Sequence, residues 1–566
     1  MFPAHRYYYL HNFERALNWL SDRHVDLLGD AERQFLTQFA KLPELSRALL
    51  VRLLMRRGPW FRESKLEYEE IPDVADAAVP LLALGWLDDH GALELEELFA
   101  LHTKSELMQM FRGSALRPSM RKPEMLDALR NLHNTPLPYA RWNPGALESV
   151  WRVTVGEVCD RLRLVFFGNL HQQWSEFVLA DLGIFKYEAV PLNAMSHAFQ
   201  KPEDVDQYLF LRACRQALDE GADKDQLLLQ VVNFKSCNAW LESRRAKILW
   251  RIGQALEREQ NWERAEQAYA ESHHPGARLR RIRVSERMGR ISEAMALALT
   301  AEAAPESEEE RQRLARMLPR LRRSTPNCPS TNTSHATLEH TDSLRRTKSA
   351  DQTLIEFEME LPASPNGVEF AVRDHWNTDT APVFYVENAL INSLFGLLCW
   401  PAIFAPLPGA FFHPFQSGPA DLLAPDFVSR REALFTECLD RLRDGTYREI
   451  IQQRYESKHG VQSPFVFWGL MSAELLTLAL DCIPAHHLGI FFGRILQDIR
   501  ANRSGFPDLV RFWPAERRYE LVEVKGPGDK LQDNQVRWLQ YFSEHGVAAR
   551  VCYVRWRSEP ACEATP

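Results

Sequence analysis

The sequence contains no C-x-x-C pair, although it carries nine cysteines, at positions 159, 214, 237, 328, 399, 438, 482, 552 and 562. That absence excludes a zinc-finger or disulfide framework, and unpaired thiols fit a reducing cytosol. A secretory leader is missing too: M-F-P-A-H-R-Y-Y-Y-L-H-N-F has neither a basic start nor an apolar centre. No run of about 18 apolar residues occurs, so no membrane span is expected. The chain also lacks a global basic excess, its net charge being −8, so any surface for a polyanion must be local. His375, His413, His459, His486, His487 and His545 have no partner at metal-ligand spacing. What remains is ordinary for a globular protein: 566 residues, 45% hydrophobic and 25% charged. That length suits roughly three or four domains.

The chain divides by pattern into six stretches. Residues 1–90 are helical by period, with Leu42, Leu45, Leu49, Leu50, Leu53 and Leu54 forming one stripe before Gly58-Pro59. A compact helical or winged-helix-like module is expected there, with Arg52, Arg56, Arg57 and Arg62 on a solvated basic face. Residues 91–140 hold a short helix, with Thr103 as N-cap and Glu106 three positions on, then a basic loop and a second helix after Pro123. The pattern resembles a SAP-type helix–extended–helix DNA-binding motif, in which Lys104, Arg112, Arg117, Arg121 and Lys122 bind backbone phosphates without reading sequence. Residues 141–205 mix aromatic and β-branched side chains, and V-W-R-V-T-V and L-R-L-V-F-F are open to either strand or helix. Residues 206–323 read as helical hairpins approximating the tetratricopeptide pattern, with a small residue at the helix crossing and then A-x-x-A-Y. Arginines concentrate at 278–290 and 311–323, and serve equally as a phosphate path or as salt-bridge partners of Glu302–Glu310 and neighbouring acids. Residues 324–355 are polar and Ser/Thr-rich, a linker by composition. Residues 356–566 form the last module.

That module turns on Gly505–Trp538, which reads as two short strands, a Gly-Pro-Gly break and a helix. A symmetric hairpin of Asp508–Trp513 with Tyr519–Lys525 sets Asp508 opposite Lys525 and Val510 opposite Glu523. Period-2 alternation puts Leu521, Glu523 and Lys525 on one face. Two carboxylates and an ammonium at one end of a valine-rich ribbon suit a divalent-metal phosphodiesterase, in which the acids hold Mg²⁺ or Mn²⁺ and the lysine orients water. Upstream, Phe384–Trp400 reads as an apolar helix with a single acid, Glu387, whose burial is costly unless it is paired or metal-bound. Arg494, Arg500 and Arg503 lie just before Asp508, within reach of phosphates, and bracing of the core by salt bridges is the alternative, with DNA contact slightly favoured.

The run G-F-P-D-L-V…L-V-E-V-K-G-P-G-D-K-L-x-x-N-Q-x-x-W-L is similar to the VRR-NUC domain of the PD-(D/E)xK nuclease superfamily. The longer chain resembles the Fanconi-associated nucleases that carry this domain at their C-terminus. The resemblance implies a multidomain, mainly α protein: a helical and SAP-like DNA-binding region, tetratricopeptide-like repeats, then an α/β restriction-endonuclease-like domain with a β-β-α-β core. It implies that Glu387, Asp508, Glu523 and the Val524 carbonyl hold one or two Mg²⁺ or Mn²⁺ ions, that Lys525 acts on water and phosphate, and that Gln535 lies near the site. It implies cleavage of 5′-flap and branched DNA and trimming from 5′ ends during interstrand-crosslink repair. With no C-x-x-C there is no ubiquitin-binding zinc finger, so the chain looks like the shorter bacterial type, at work in the cytoplasm on nucleoid DNA with no ubiquitin or membrane partner. A non-catalytic branched-DNA scaffold and a sequence-specific restriction-type endonuclease are the alternatives. The complete acid–acid–lysine set stands against the first, and the repeats and SAP-like segment against the second.

Overall fold

A computed structural model describes residues 6–114, 116–174, 185–192, 197–324 and 355–557. Most of the 324–355 linker therefore lies outside the described residues. The chain gathers into two compact units, the first made of Met1–Tyr187, Pro191–Asp206 and Phe412–Phe415, the second of the remainder.

In the first unit, helices Tyr8–Arg23, Glu44–Leu54 and Val74–Ala83 stand with a three-stranded antiparallel sheet. Its central strand is Val150–Val153, paired to Trp60–Arg62 and Leu87–Asp88. Of the two ambiguous stretches, V-W-R-V is thus a strand, whereas L-R-L-V-F-F ends the helix Gly156–Phe167 and is buried on all sides. The expected solvated basic face forms in part: Arg56 and Arg57 are exposed, whereas Arg52 and Arg62 are ion-paired. Arg52 is committed to Glu70 and Arg62 to both Glu106 and Glu148, because each guanidinium is partly buried and needs a counter-charge. The SAP-like segment folds as two helices, α1 (Lys104–Met110) and α2 (Lys122–Arg130). Thr103 and Glu106 close the capping box on α1, the Thr103 N–H donating to Glu106 at 2.7 Å. Leu107, Met125 and Leu129 bury the inner face against Trp142 and Leu98.

The second unit opens with helical hairpins that include α3 (Ala239–Arg258), α4 (Ala277–Arg287) and α5 (Glu308–Ser324). The small residue expected at a crossing is Gly253 of α3. A Cβ there would stand 2.7 Å from the Tyr269 ring, so the A-x-x-A-Y helix packs only against glycine. The arginine stretches are largely neutralised within the repeats. Arg278 meets Glu310, Arg280 meets Glu257, Arg281 meets Glu266 and Arg320 meets Glu286, each at 2.9 Å or less. Salt bridging, not an open cationic path, is the finding for these side chains.

The nuclease-like module is a five-stranded mixed sheet: β1 (Ile355–Leu361), β2 (Val383–Tyr385), β3 (Leu509–Trp513), β4 (Arg518–Lys525) and β5 (Ala549–Trp556), in the order β1-β5-β4-β3-β2. Strands β4 and β5 pair in parallel across helix α8 (Asp533–Glu544), the β-β-α-β core expected. The helices between are α6 (Val368–Trp376) and α7 (Leu390–Leu398). One sheet face packs Leu509, Val522, Val524, Cys552 and Val554 on Val372 of α6.

Candidate active site

The hairpin register differs from the expected one by two residues: Leu509 faces Val522 and Val510 faces Leu521. The turn is Pro514–Glu516 plus Arg517 in the left-handed region (φ 51°), and Arg518 already belongs to β4. A two-residue slip keeps every side chain on its face, but it brings Asp508, one step before β3, alongside Glu523 rather than Lys525. Asp508 is fixed there by the Val524 N–H, which donates to its Oδ2 at 2.8 Å. Lys525 Nζ stands 2.7 Å from Glu523 Oε1 as an ion pair. Apart from that ammonium, neither oxygen of the fully buried Glu523 carboxylate has a hydrogen-bond partner among the described residues.

Glu387 is not on a helix. Residues 383–385 form β2, pairing Tyr385 with Leu509, and the chain then turns through Glu387 and Asn388 before α7 starts at Leu390. Its carboxylate is exposed, accepting from the Tyr385 hydroxyl at 2.5 Å and from the Asn388 amide at 3.3 Å. The argument from burial in an apolar helix therefore fails, yet the turn still delivers Glu387 to the same end of the sheet. The Val386 N–H donates to the Asp508 carbonyl at 2.8 Å.

Electrostatics tie these groups together. Burial pushes the Asp508 carboxyl up to about 6, opposed by the Val524 N–H and Lys525 and helped by Glu387 and Glu369. Burial, then the Asp508 charge, pushes Glu523 up to about 8 against the pull of Lys525. Glu369, in the first turn of α6, is a fourth acid in this field that no sequence pattern singled out. Its V-E at a helix start was the signal available. Among the described residues no three acids already converge on one point. Even so, a buried carboxylate with two unsatisfied oxygens beside a second carboxylate suits a divalent cation, which supplies the charge and oxygen-seeking coordination they lack.

The raised carboxyls carry a pH prediction. With chelator present, the folded state holds protons that the unfolded chain releases near the ordinary carboxylate values of 3.8 and 4.5. The stabilising contribution is complete below those values and is lost as pH rises through about 6 and then about 8. Thermal melts in EDTA are expected to drop by several degrees across that range. Glu523→Gln is expected to flatten the drop and Mn²⁺ to reverse it. A wild-type slope equal to that of the glutamine variant would contradict the assignment.

The other expected residues separate. Arg494 is buried, stacked 4.0 Å over Tyr541 and paired with Glu308 of α5 at 2.6 Å. It braces the module instead of facing solvent, because a guanidinium with so little water access must be paired. Arg503 is half-buried, its guanidinium donating to the Pro464 carbonyl at 3.4 Å. Arg500 is exposed. Gln535 sits at the third position of α8 and turns back, accepting the Gln532 N–H at 2.8 Å as half of a capping box. In the SAP-like segment Arg112, Arg117 and Arg121 are exposed, Lys104 donates to the Pro118 carbonyl, Arg121 pairs with Glu124, and Lys122 is half-buried.

A second cationic group lies where no sequence pattern marked it. Lys247 and Arg244 on α3 and His274 share a field with Arg500, which stands more than 200 positions further along the chain. Desolvation, then Arg215, Arg500 and Arg244, holds the Lys247 ammonium below its usual range although the residue reaches solvent. Arg244 stacks on Trp240 at 4.1 Å and Tyr208 at 4.5 Å, with its Nε unsatisfied.

Comparison with known proteins follows this anatomy. The VRR-NUC domain family matches residues 442–556, the family described as FAN1, HTH domain matches 7–88, and the Fanconi anemia-associated nuclease SAP domain matches 92–142. A Pseudomonas aeruginosa protein, Fanconi-associated nuclease 1 homolog, is 51% identical over 552 residues, covering 97% of this chain and 96% of its own length. The chain belongs to the Fanconi-associated nuclease 1 family. The human Fanconi-associated nuclease 1 is 24% identical over 643 residues, covering 97% of this chain but 62% of the human protein, so the chain spans less than two thirds of that longer relative. A crystal structure of paFAN1 bound to DNA with a two-nucleotide 5′ flap and a gap matches with a TM-score of 0.91 at 50% identity, covering 99% of this chain and 100% of that one. As a family member the chain is a hydrolytic DNA nuclease of DNA repair, with the divalent-metal dependence of the VRR-NUC core.

Proposed function

We propose that this nuclease cuts branched DNA, 5′-flap duplex in particular, trims from 5′ ends, and serves interstrand-crosslink repair in the cytoplasm of a bacterial cell, at the nucleoid. One observation carries the chemistry: the buried Asp508–Glu523 pair, whose Glu523 oxygens accept no hydrogen bond beside Lys525. A buried carboxylate pair with a single ammonium against it is costly, and a scaffold that never held a cation would gain by losing one of the acids. Asp508, Glu523, Glu387 and the Val524 carbonyl hold one or two Mg²⁺ or Mn²⁺ ions. When bound, the cation lowers the pKa of a water and screens phosphate charge. The chain's own groups do the rest. The Val524 N–H fixes the Asp508 rotamer, and Tyr385 holds the Glu387 carboxylate by a hydrogen bond. Lys525 shares its charge between Glu523 and the scissile phosphate, orienting the attacking water and stabilising the charge that develops in the transition state.

For the DNA path, the SAP-like cations Lys104, Arg112, Arg117, Arg121 and Lys122 carry duplex phosphates, and Lys247, Arg244 and Arg500 carry further backbone phosphates. The known structure bound to 5′-flap DNA supports this reading, at 50% identity. The substrate is tested by cleavage of linear, nicked and 5′-flap duplexes of one sequence in Mn²⁺. At least tenfold faster cutting of the flap, at a position that follows the branch when the surrounding sequence is changed, is expected. Equal rates on linear duplex, or cuts that track sequence, would remove the branched-DNA reading and favour a restriction-type enzyme.

A further inference from the structure

The turn that carries Glu387 and the segment that carries Asp508 come from positions more than 100 residues apart, and one side chain ties them. Asn388 lies in the left-handed region, with φ 53°, where asparagine is among the few non-glycine residues tolerated. That conformation aims its Oδ1 at the chain entering β3. There it accepts the Gly505 N–H at 2.7 Å and the Phe506 N–H at 3.1 Å. Its amide nitrogen meets the Glu387 carboxylate at 3.3 Å. The buried Asn392, one turn on, donates to the Asn388 carbonyl at 2.6 Å and to the Arg503 carbonyl at 2.8 Å, closing the bracket from the other side. Gly505 leaves little slack: a Cβ there would stand 2.8 Å from the Asn534 carbonyl carbon of α8, and its φ is +95°. Phe506 stacks on Trp538 at 4.1 Å. The backbone from Arg503 to Asp508 is therefore held between the Asn388 turn and α8.

We propose that Asn388 is a positioning residue that sets the distance between Glu387 and Asp508, and through it the affinity for the divalent cation. This rests on the reading of those two acids as metal ligands. Removing the acceptor leaves two backbone N–H groups without their partner and frees the Glu387 turn to drift from Asp508. Asn388 is not one of the proposed ligands and acts through Glu387 and the Gly505–Phe506 backbone, so its effect falls on metal affinity and not on the chemical step once the cation is bound.

The test measures Mn²⁺ binding by calorimetry and, separately, the Mn²⁺ concentration that half-saturates cleavage of a 5′-flap duplex. Asn388→Gly keeps the positive φ and deletes both the acceptor for the Gly505 and Phe506 N–H groups and the amide that meets Glu387. It is expected to weaken Mn²⁺ binding and raise the half-saturating concentration by roughly 10- to 100-fold, while the rate at saturating Mn²⁺ stays within a few fold of wild type. Asn388→Asp restores an acceptor oxygen at the same reach and is expected to recover the affinity. Asn388→Ser, whose hydroxyl is too short to meet both N–H groups, serves if the glycine variant does not fold, with the same expected shift. Wild-type Mn²⁺ affinity in the glycine or serine variant, alongside lost affinity in Asp508→Ala, overturns the role of Asn388 alone. Undiminished affinity in Asp508→Ala overturns the metal-site reading beneath it.

Discussion

Asp508→Ala and Lys525→Ala, assayed with a 5′-flap duplex and Mn²⁺, are each expected to lose cleavage by about 10³-fold or more. The two losses have different origins. Asp508 is held by the Val524 N–H beside the buried Glu523, so its removal takes away one of the proposed ligands and the carboxylate proposed to share the cation with Glu523. Lys525 is not a ligand but the only cation in contact with Glu523 among the described residues. Its loss leaves metal binding weakened yet measurable, and removes the group that meets the developing phosphate charge. Stability separates these effects from unfolding. Burial, with the charges of Glu387 and Glu369, raises the Asp508 carboxyl, and the Asp508 charge in turn raises Glu523, so Asp508→Ala is expected to melt no lower than wild type in EDTA. Lys525→Ala removes a counter-charge from a buried acid and is expected to melt lower at pH above the raised Glu523 value. Cleavage by both variants at wild-type rate would sink the active-site assignment.

The core of this site was legible because its signals are local. Alternation in L-V-E-V-K places Glu523 and Lys525, G-P-G ends the strand, and D-N-Q starts the helix. The register was not, since it depends on Arg517 adopting a left-handed conformation that neither glycine nor asparagine announces. The face of each side chain survived because the error was an even number of residues. The helical placement of Glu387 was wrong, although the turn that carries it reaches the same end of the sheet. Its flanking residues are apolar in a helical window, yet Val383–Tyr385 pairs with β3, and the break falls at Asn388, whose turn propensity was the available warning. Charge was the least legible property. Arg278 and Arg494 look alike as arginines in basic runs, but their partners Glu310 and Glu308 lie 32 and 186 positions away. The first pair lies among the acids that the sequence offered as one of two alternatives, and the second spans a distance that no window-based reading covers. The same blindness hid the group formed by Lys247 with Arg500, because one repeat helix and the lead-in to β3 each contribute too few cations to form a patch alone.

That group carries the second large effect. Most arginines of the repeats are neutralised by acids, whereas desolvation and then the charges of Arg215, Arg500 and Arg244 bear on Lys247. Like charges held together at a cost to Lys247 ionisation are relieved by an anion, and a DNA phosphate is the anion this protein meets. Arg500 stands eight positions before Asp508, which ties the phosphate site to the metal site through a short, braced segment. The double variant Lys247→Glu/Arg500→Glu is expected to weaken 5′-flap binding by about 100-fold at physiological salt, measured in Ca²⁺ to prevent cutting. The plot of log affinity against log salt should become shallower by about 0.9 for each duplex phosphate that the protein no longer neutralises and about 0.7 for each on a single strand. Asp508→Ala should leave that slope unchanged, because its charge faces the cation and not the backbone. Removing the mutual repulsion should also raise the melting temperature of the double variant slightly. An unaltered salt slope in the double variant would place the phosphate path elsewhere, and the SAP-like cations would then have to account for the whole of the electrostatic binding.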